Sequence, residues 1–458
     1  MESQSVMQRL ARLKFASKFV GLLLLSCLTV LSAGWFWSGS LNAAPVTQPV
    51  TQPMTQPVAS HRADRGNIKV VWLQGTAYEM GLQHGRLLHD EIASMGEEII
   101  NALDIAGRGL GLGRLAERRS PPEITEECRG LAEATADLGM TYDSCMALAF
   151  GDVFQELFLY TVPVLMFNDG CAQFAAAGSA TADGRLYHGG TLDNDKKPIK
   201  YWINNSTVFV RQPTNGIPHV FIGVPGMVWP NAGLNDEGLS IALDTAHPNQ
   251  LDDLNLEEGG SNVLLMGEIM RRAHSFDEAT QIFTENPRMR ANLVLVADGK
   301  AKRAGVFELL GDTFAVRELD ENGVVFMTNH FASSELTGRD KQPTEESSLS
   351  RFERFKQLLE PGDADSQHGR VDPNVMVEIL RDRTNPYTKA ISPLTVYDDN
   401  ASPGGNGSMR QVTFDPERKL FWIAAGQPPV PENPFVCFSL DEMLGRPNAT
   451  PCNAPAIN

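Results

Sequence analysis

The chain of 458 residues is long enough for two ordinary domains or one large one, and 42% hydrophobic with 21% charged residues allow a packed core. Its net charge of -17 argues against nucleic acid or an anionic membrane surface as the main partner, because both bind basic patches. This composition by itself identifies no substrate.

Residues 1–44 have the pattern of a targeting segment. A basic stretch that includes Arg9 and Lys18 precedes an uncharged run at 19–37. The run is long enough to span a membrane and longer than the usual hydrophobic core of a signal peptide. A cleaved signal peptide and a retained inner-membrane anchor both remain open. Either one predicts an extracytoplasmic protein, periplasmic or secreted.

Residues 45–60 follow as a linker in which a Pro-Val-Thr-Gln pattern repeats. Such a proline-rich repeat is typical of an extended, semi-rigid spacer. It is predicted to separate the targeting segment from the folded part.

Residues 61–170 are predicted to be a mostly helical N-terminal fragment. A strand is expected at 69–73, and Thr76 can cap a long helix that runs to about Leu103, with apolar residues spaced by three and four. A glycine- and arginine-rich loop is expected at 108–119, and further helices at 122–161.

Residues 171–458 read as short strands joined by turns. Asp183-Gly184 is a two-residue hairpin signal between strands at 172–181 and 185–192. Helices interrupt the strands, and two of them have clear starts at Ser275 and Asp372. Antiparallel strands with helices in separate blocks predict an α+β fold rather than a doubly wound parallel sheet.

Six cysteines are present. With Cys27 in the targeting segment and Cys171 held in reserve as a nucleophile, four can form two disulfides in an oxidising compartment. The local pairings are Cys128 with Cys145 and Cys437 with Cys452, and the other two connectivities stay open. No zinc-ligand spacing, dinucleotide-binding loop or phosphate loop occurs, so neither a metal nor a cofactor is expected.

The dipeptide Gly170-Cys171 stands where the helical part meets the strands. A Cys171 thiol that attacked the Gly170 carbonyl would form a thioester, and water would then release a chain that begins with Cys171. Its new α-amino group, with a reference pKa of about 7.7–8.0, is a usable base at neutral pH. The alternative is a buried cysteine packed as a small hydrophobe.

Four polar residues are candidates to assist such a thiol. The simple hairpin register places Asp193 opposite Phe174, on the face away from Cys171, and one β-bulge would bring Asp193 to the Cys171 face. Asn235 and Asn329 are candidate donors to a tetrahedral oxyanion. Arg351 is a candidate to bind a substrate carboxylate or to pair with Asp193. The structural alternatives are a turn residue for Asn235, a strand-end cap for Asn329 and a solvated helix face for Arg351.

Short motifs in a fixed order run from about residue 73 to residue 440. They are GTAYEMGLQHG (75–85), Gly170-Cys171, GRLYHGGTLD (184–193), GLNDEGL (233–239), TNHF (328–331), SSLSRF (347–352) and AAGQP (424–428). Their order and spacing resemble the acyl-coenzyme A:6-aminopenicillanate acyltransferase-like group of N-terminal-nucleophile (Ntn) hydrolases. Acid ceramidase and choloylglycine hydrolase are more distant relatives in the same superfamily.

This resemblance implies an αββα four-layer sandwich with antiparallel sheets, cleavage of one precursor into chains 61–170 and 171–458, and hydrolysis or transfer of an N-acyl group. Cys171 matches the nucleophile, Asp193 the family aspartate, and Asn329 or Asn235 the oxyanion asparagine. The chain departs from the family at Gly190-Thr191, where relatives often carry Arg-Asn. The arginine beside the nucleophile is therefore missing there.

The predicted substrate is a small N-acyl amide or acyl thioester. Three alternatives remain: a phospholipase-B-like esterase on the same fold, an uncleaved inactive relative that acts as a binding module, and a papain-like protease. The last would pair Cys171 with His188 or His330, and it leaves the strand-opening Gly-Cys dipeptide unexplained.

Overall fold

The computed structural model describes residues 60–153, 170–194, 199–250, 253–311, 313–393, 402–405 and 407–458. The predicted targeting segment at 1–44 and the linker up to residue 59 lie outside these residues, as does the end of the helical stretch predicted at 122–161. Within the described ranges, no helix is both long enough and apolar enough to cross a membrane.

The strands have mixed lengths and account for most of the buried core. Their bounds are β1 (His61–Arg62), β2 (Lys69–Gly75), β3 (Ala172–Gly178), β4 (Gly184–Asp193), β5 (Thr207–Pro213), β6 (His219–Gly223), β7 (Ala232–Asn235), β8 (Leu239–Thr245), β9 (Asn292–Asp298), β10 (Arg303–Leu310), β11 (Thr313–Glu318), β12 (Val324–Met327), β13 (Ser408–Asp415), β14 (Leu420–Ala425), β15 (Phe435–Ser439) and β16 (Ala456–Ile457).

These strands form two sheets. One has nine strands in the order β1-β2-β5-β6-β7-β8-β9-β10-β11, and the other has seven in the order β12-β3-β4-β13-β14-β15-β16. The pairs are antiparallel, as predicted, except that β2 runs parallel to β5. Because β2 precedes Cys171 and β5 follows it, this pair would hold the two predicted chains together after a cleavage.

The described helices are α1 (Ala77–Leu87), α2 (His89–Ala93), α3 (Glu97–Asp104), α4 (Leu112–Glu117), α5 (Pro122–Ala134), α6 (Tyr142–Ala149), α7 (Lys200–Asn204), α8 (Asn262–Arg272), α9 (Phe276–Glu285), α10 (Glu346–Leu359), α11 (Pro373–Leu380) and α12 (Leu440–Met443). Thr76 caps α1 as predicted. The prediction of a single long helix is wrong. The chain leaves the helical conformation at Leu88, between α1 and α2, and turns again at Gly96, whose φ of 93° suits glycine. The prediction of a loop at 108–119 is also wrong, because this segment contains α4.

The two sheets pack face to face, with helices on both outer sides. Side chains of β13, among them Val412 and Phe414, share one core cluster with Val208 and Ile222 of the nine-stranded sheet. Helices α8 and α9 contact β7, β8 and β9, while α10 and α11 contact β3, β4, β12 and β13. The predicted α+β fold with αββα layers is confirmed.

Both local disulfide pairings are present. Cys128 bonds Cys145 with a Cα–Cα distance of 5.5 Å, and Cys437 bonds Cys452 with a distance of 6.0 Å. Cys171, which the prediction kept apart as the nucleophile, takes part in neither of these two disulfides.

Candidate active site around Cys171

Cys171 lies directly before β3, at the edge of the space between the sheets. Its side chain is 3% exposed. The backbone N–H of Asp193 donates to Sγ at 3.5 Å, and the thiol lies 3.6 Å from the carbonyl oxygen of Asp193. A hydrogen bond donated to sulfur favours the thiolate, which is the nucleophilic form. The structure therefore brings Cys171 and Asp193 together, through the backbone of Asp193.

The register that makes this contact differs from the predicted one. Phe174 pairs with Gly189, four residues before the expected partner Asp193. Extending the observed pairing by one step places Cys171 level with Leu192. The predicted simple register is wrong. A register shift does occur between Ala176 and Gly178, as a bulge would produce, but it does not account for the whole four-residue offset.

The offset also involves the loop between β3 and β4. Instead of a two-residue turn at Asp183-Gly184, β3 ends at Gly178 and residues 179–183 form a wider loop. Thr181 in this loop forms a bridge with Val371, which belongs to a distant part of the sequence. The wider loop therefore accompanies the observed register and makes a contact with a distant part of the chain.

The Asp193 carboxylate lies in a cluster of hydroxyl groups. Asp193 is 4% exposed, and its Oδ1 accepts a short hydrogen bond from the Thr191 hydroxyl. That hydroxyl also contacts the Ser408 Oγ at 2.9 Å. These contacts hold the carboxylate in one orientation.

Asn329 and Arg351 reach the same site from another side. The Arg351 guanidinium donates to the carbonyl oxygen of Cys171 and, at 2.9 Å, to the Asn329 Oδ1. The Asn329 Nδ2 donates to the Thr245 carbonyl oxygen at 2.8 Å, and an amide group has a second N–H that it can donate. Arg351 is 1% exposed, so the solvated-face alternative is wrong for it.

The structure does not bring Asn235 to the thiol. Its Nδ2 donates to the carbonyl oxygens of Met270 and Ala273, and its Oδ1 accepts from the backbone N–H groups of Glu237 and Leu239. Both N–H groups are therefore used in closing a turn and a helix end. The assignment of Asn235 as an oxyanion donor is wrong, and the turn alternative describes it.

Neither histidine of the papain-like alternative has a recorded contact with the thiol. The His188 Nδ1 lies 2.9 Å from the Ser240 Oγ, and the His330 Nδ1 lies 2.7 Å from the Ser348 Oγ. Burial lowers the pKa of His188 to about 3, and burial with the nearby Arg351 lowers that of His330 to about 4. Both are neutral structural residues at pH 7.

Two residues near Cys171 were not predicted from sequence. Gln173 is 3% exposed and donates from Nε2 to the Thr191 carbonyl oxygen at 3.1 Å and to the Asp244 carboxylate at 2.9 Å. Arg410, on β13, is also 3% exposed. Burial lowers its pKa to about 9, and the negative charge of Cys171 opposes this shift. The sequence signal that could have identified Arg410 is the presence of an arginine within a run of buried strand residues.

No group of three or more His, Cys, Asp or Glu side chains in the described ranges could hold a metal ion. The groups placed around Cys171 include the carboxylate of Asp193, the amides of Asn329 and Gln173, and the guanidinium groups of Arg351 and Arg410. Together they can support nucleophilic attack on an acyl group.

The two central sheets with helices on both outer sides have the αββα arrangement of the Ntn-hydrolase fold. The chain belongs to the acyl-coenzyme A:6-aminopenicillanic acid acyl-transferase family, whose model matches residues 194–428, half of the chain. The matched segment includes Asn329, Arg351 and Arg410 and begins one residue after Asp193. Gly170-Cys171 lies outside it.

An uncharacterized protein of Archaeoglobus fulgidus is 29% identical over 282 residues, which cover 56% of this chain and 46% of that protein. The chain thus spans about half the length of this relative.

Three solved structures are similar at low identity. The Caenorhabditis elegans N-acylethanolamine-hydrolyzing acid amidase ortholog has 16% identity and a TM-score of 0.38, covering 54% of this chain and 93% of that one. A variant of the Clostridium perfringens conjugated bile acid hydrolase has 12% identity and a TM-score of 0.35, covering 56% of this chain and 89% of that one. Penicillin V acylase from Agrobacterium tumefaciens has 15% identity and a TM-score of 0.35, covering 56% of this chain and 83% of that one.

Proposed function

We propose that the protein is an exported, self-cleaving hydrolase or acyltransferase that acts on N-acyl amide bonds through a thioester on Cys171. The observation that carries this proposal is the hydrogen bond from the Asp193 N–H to the Cys171 Sγ. Cys171 directly follows Gly170, and the chain belongs to this acyltransferase family.

Self-cleavage would require one nucleophilic attack. The Cys171 thiolate adds to the Gly170 carbonyl carbon, the C–N bond breaks, and the leaving nitrogen takes a proton. The product is a Gly170 thioester on Sγ together with the new α-amine of Cys171. Water hydrolyses the thioester, regenerates the thiol and releases the Gly170 carboxylate.

Substrate turnover would repeat this chemistry with the new amine as the base. With the proton on the α-amine and the sulfur as the thiolate, the thiolate attacks the acyl carbonyl, and the protonated amine gives its proton to the leaving nitrogen. Water or an acceptor amine then takes the acyl group from the thioester. We assign the Asp193 carboxylate to orienting the α-amine and the remaining Asn329 N–H to the oxyanion.

Arg351 has a positioning role in this proposal. It bonds the Asn329 Oδ1 and the Cys171 carbonyl oxygen, so it fixes the oxyanion donor relative to the nucleophile. This role replaces the predicted capture of a substrate carboxylate, because these acceptors already occupy two of its nitrogen atoms.

Two disulfides support an oxidising, extracytoplasmic location. In this proposal, residues 19–37 belong to a cleaved signal peptide or form an inner-membrane anchor. Fractionation of cells that produce the full chain would test it, and a cytoplasmic, fully reduced protein would contradict it.

The activity is tested with N-acyl p-nitroanilides of increasing acyl length, matched p-nitrophenyl esters, and an acyl-coenzyme A with 6-aminopenicillanic acid as acceptor. We expect amide cleavage or acyl transfer, capture of the acyl-enzyme by hydroxylamine, and loss of both in Cys171→Ala. Activity retained by Cys171→Ala would overturn the proposal. Turnover of esters alone would favour the esterase alternative, and no turnover of any probe would favour the inactive binding module.

A further inference from the structure

Arg410 is a buried cation without a recorded acceptor. It is 3% exposed, and its buried Nε has no hydrogen-bond acceptor among the described residues. A buried charge with no partner is costly, and proteins normally pair it. The arrangement therefore calls for an anion next to Arg410.

The strand register places Arg410 level with Cys171. Strand β4 lies between β3 and β13, and its Leu192 pairs with Arg410. Thr191, one residue earlier, pairs with Ala172, so Leu192 is also level with Cys171. Two strand spacings, about 10 Å between backbones, separate Cys171 from Arg410, a distance that an extended arginine side chain can largely cover.

The two side chains also share a face of the sheet. Arg410 alternates in step with Val412 and Phe414, which lie in the core between the sheets. Cys171 alternates in step with Ala175, which lies in a core cluster that also joins both sheets. The electrostatic interaction between Arg410 and Cys171 agrees with this placement.

The lack of space at Gly190 accounts for a positive charge on β13, at Arg410, rather than on β4. The Gln173 side chain crosses over Gly190, where an added Cβ would lie 1.4 Å from the Gln173 Oε1. Gln173 is held there by its bonds to Thr191 and Asp244. No side chain, and therefore no arginine, fits at Gly190 while Gln173 keeps this position.

We propose that Arg410 supplies from β13 the positive charge that β4 lacks at Gly190, and that it keeps the Cys171 sulfur as a thiolate. Arg410 is a positioning and electrostatic residue in this account, and its counter-ion is the nucleophile itself. The inference rests on the proposed role of Cys171, but it concerns the charge state of the sulfur rather than the reaction.

The test measures the alkylation of Cys171 by iodoacetamide between pH 5 and pH 10, following the Cys171 peptide by mass spectrometry. The variants are Arg410→Met and the polar Arg410→Gln, each checked for folding by circular dichroism. A nearby cation shifts such a titration by about one to three pH units. We expect both variants to react about tenfold or more slowly at pH 6.5 and to approach the wild-type rate at pH 10.

The matched control is Arg381→Met. The guanidinium of the half-buried Arg381 donates to the carbonyl oxygens of Pro431 and Asn433, so its loss should leave the alkylation profile unchanged. Adding Gln173→Ala and Gly190→Arg to the Arg410→Met variant moves the cation to β4. This relocation should restore reactivity at pH 6.5.

An alkylation profile that is identical in wild type and Arg410→Gln would overturn the proposal. The same holds if Arg410→Gln changes only KM for anionic substrates, because Arg410 would then bind the substrate. Alkylation needs neither self-cleavage nor turnover. A failure of the proposed function would therefore show as an uncut or inactive wild type, whatever the effect of Arg410.

Discussion

Asn235 is the last residue of β7 and Asn329 lies two residues after β12, yet the structure gives their side chains opposite situations. The Asn235 amide makes four hydrogen bonds that close a turn and a helix end. The Asn329 amide is held by Arg351 on its oxygen and donates one N–H to Thr245. An oxyanion donor must be fixed in place and still have an N–H to give. Of the two, Asn329 alone meets both conditions.

The largest effect is expected from Asn329→Ala. Loss of one oxyanion donor typically lowers the rate by about 10²–10³-fold. We expect kcat/KM for amide cleavage, and the rate of self-cleavage, to fall by that factor, and the loss of the bonds to Arg351 and Thr245 to lower the unfolding free energy as well. Stopped assays on the cleaved fraction give the first rate and gel densitometry of the precursor gives the second. An unchanged rate would remove Asn329 from the site.

The reverse pattern is expected from Asn235→Ala. Its loss leaves buried carbonyl and N–H groups unpaired, at about 1–3 kcal/mol of unfolding free energy. Urea unfolding should show this loss, while the rate of self-cleavage of the folded protein stays within a factor of about three. Asn215→Ala, at an exposed position, is the control. A variant that keeps its stability and loses activity would reverse the comparison.

The smallest effect on catalysis is expected from His188→Gln, which acts on stability through pH. Burial lowers the pKa of His188 to about 3, against about 6.5 when unfolded. As the pH falls below 6.5 the unfolded state binds the proton first, so folding loses up to about 1.4 kcal/mol per pH unit. The variant should therefore lose about 2 kcal/mol less than wild type between pH 7.5 and pH 5.

Urea unfolding at both pH values measures this difference for His188→Gln. His274→Gln, at an exposed residue, should behave as wild type. An equal loss in wild type and His188→Gln would show that His188 is not held neutral between the sheets.

Local features of the fold were predictable from sequence. The capping residue Thr76, the helix starts at Ser275 and Asp372 and both disulfides depend on residues close together in the chain. The identity of Cys171 as the distinctive residue also came from neighbouring positions, since a glycine precedes it and a strand follows.

Features set by distant contacts were not predictable. The observed β3–β4 register accompanies a wider loop that forms a bridge from Thr181 to Val371. The environment of Arg410 depends on a strand more than 200 residues after Cys171. Asn235 and Asn329 could not be ranked, because the partners of each amide come from other elements.

The N-terminus of the mature protein tests the central claim most directly. Intact mass and N-terminal sequencing of the purified wild type should show a chain of residues 171–458 that begins with Cys171, associated with a fragment ending at Gly170. Cys171→Ala should stay in one piece. A wild-type protein that is uncut, full-length and active would contradict the account.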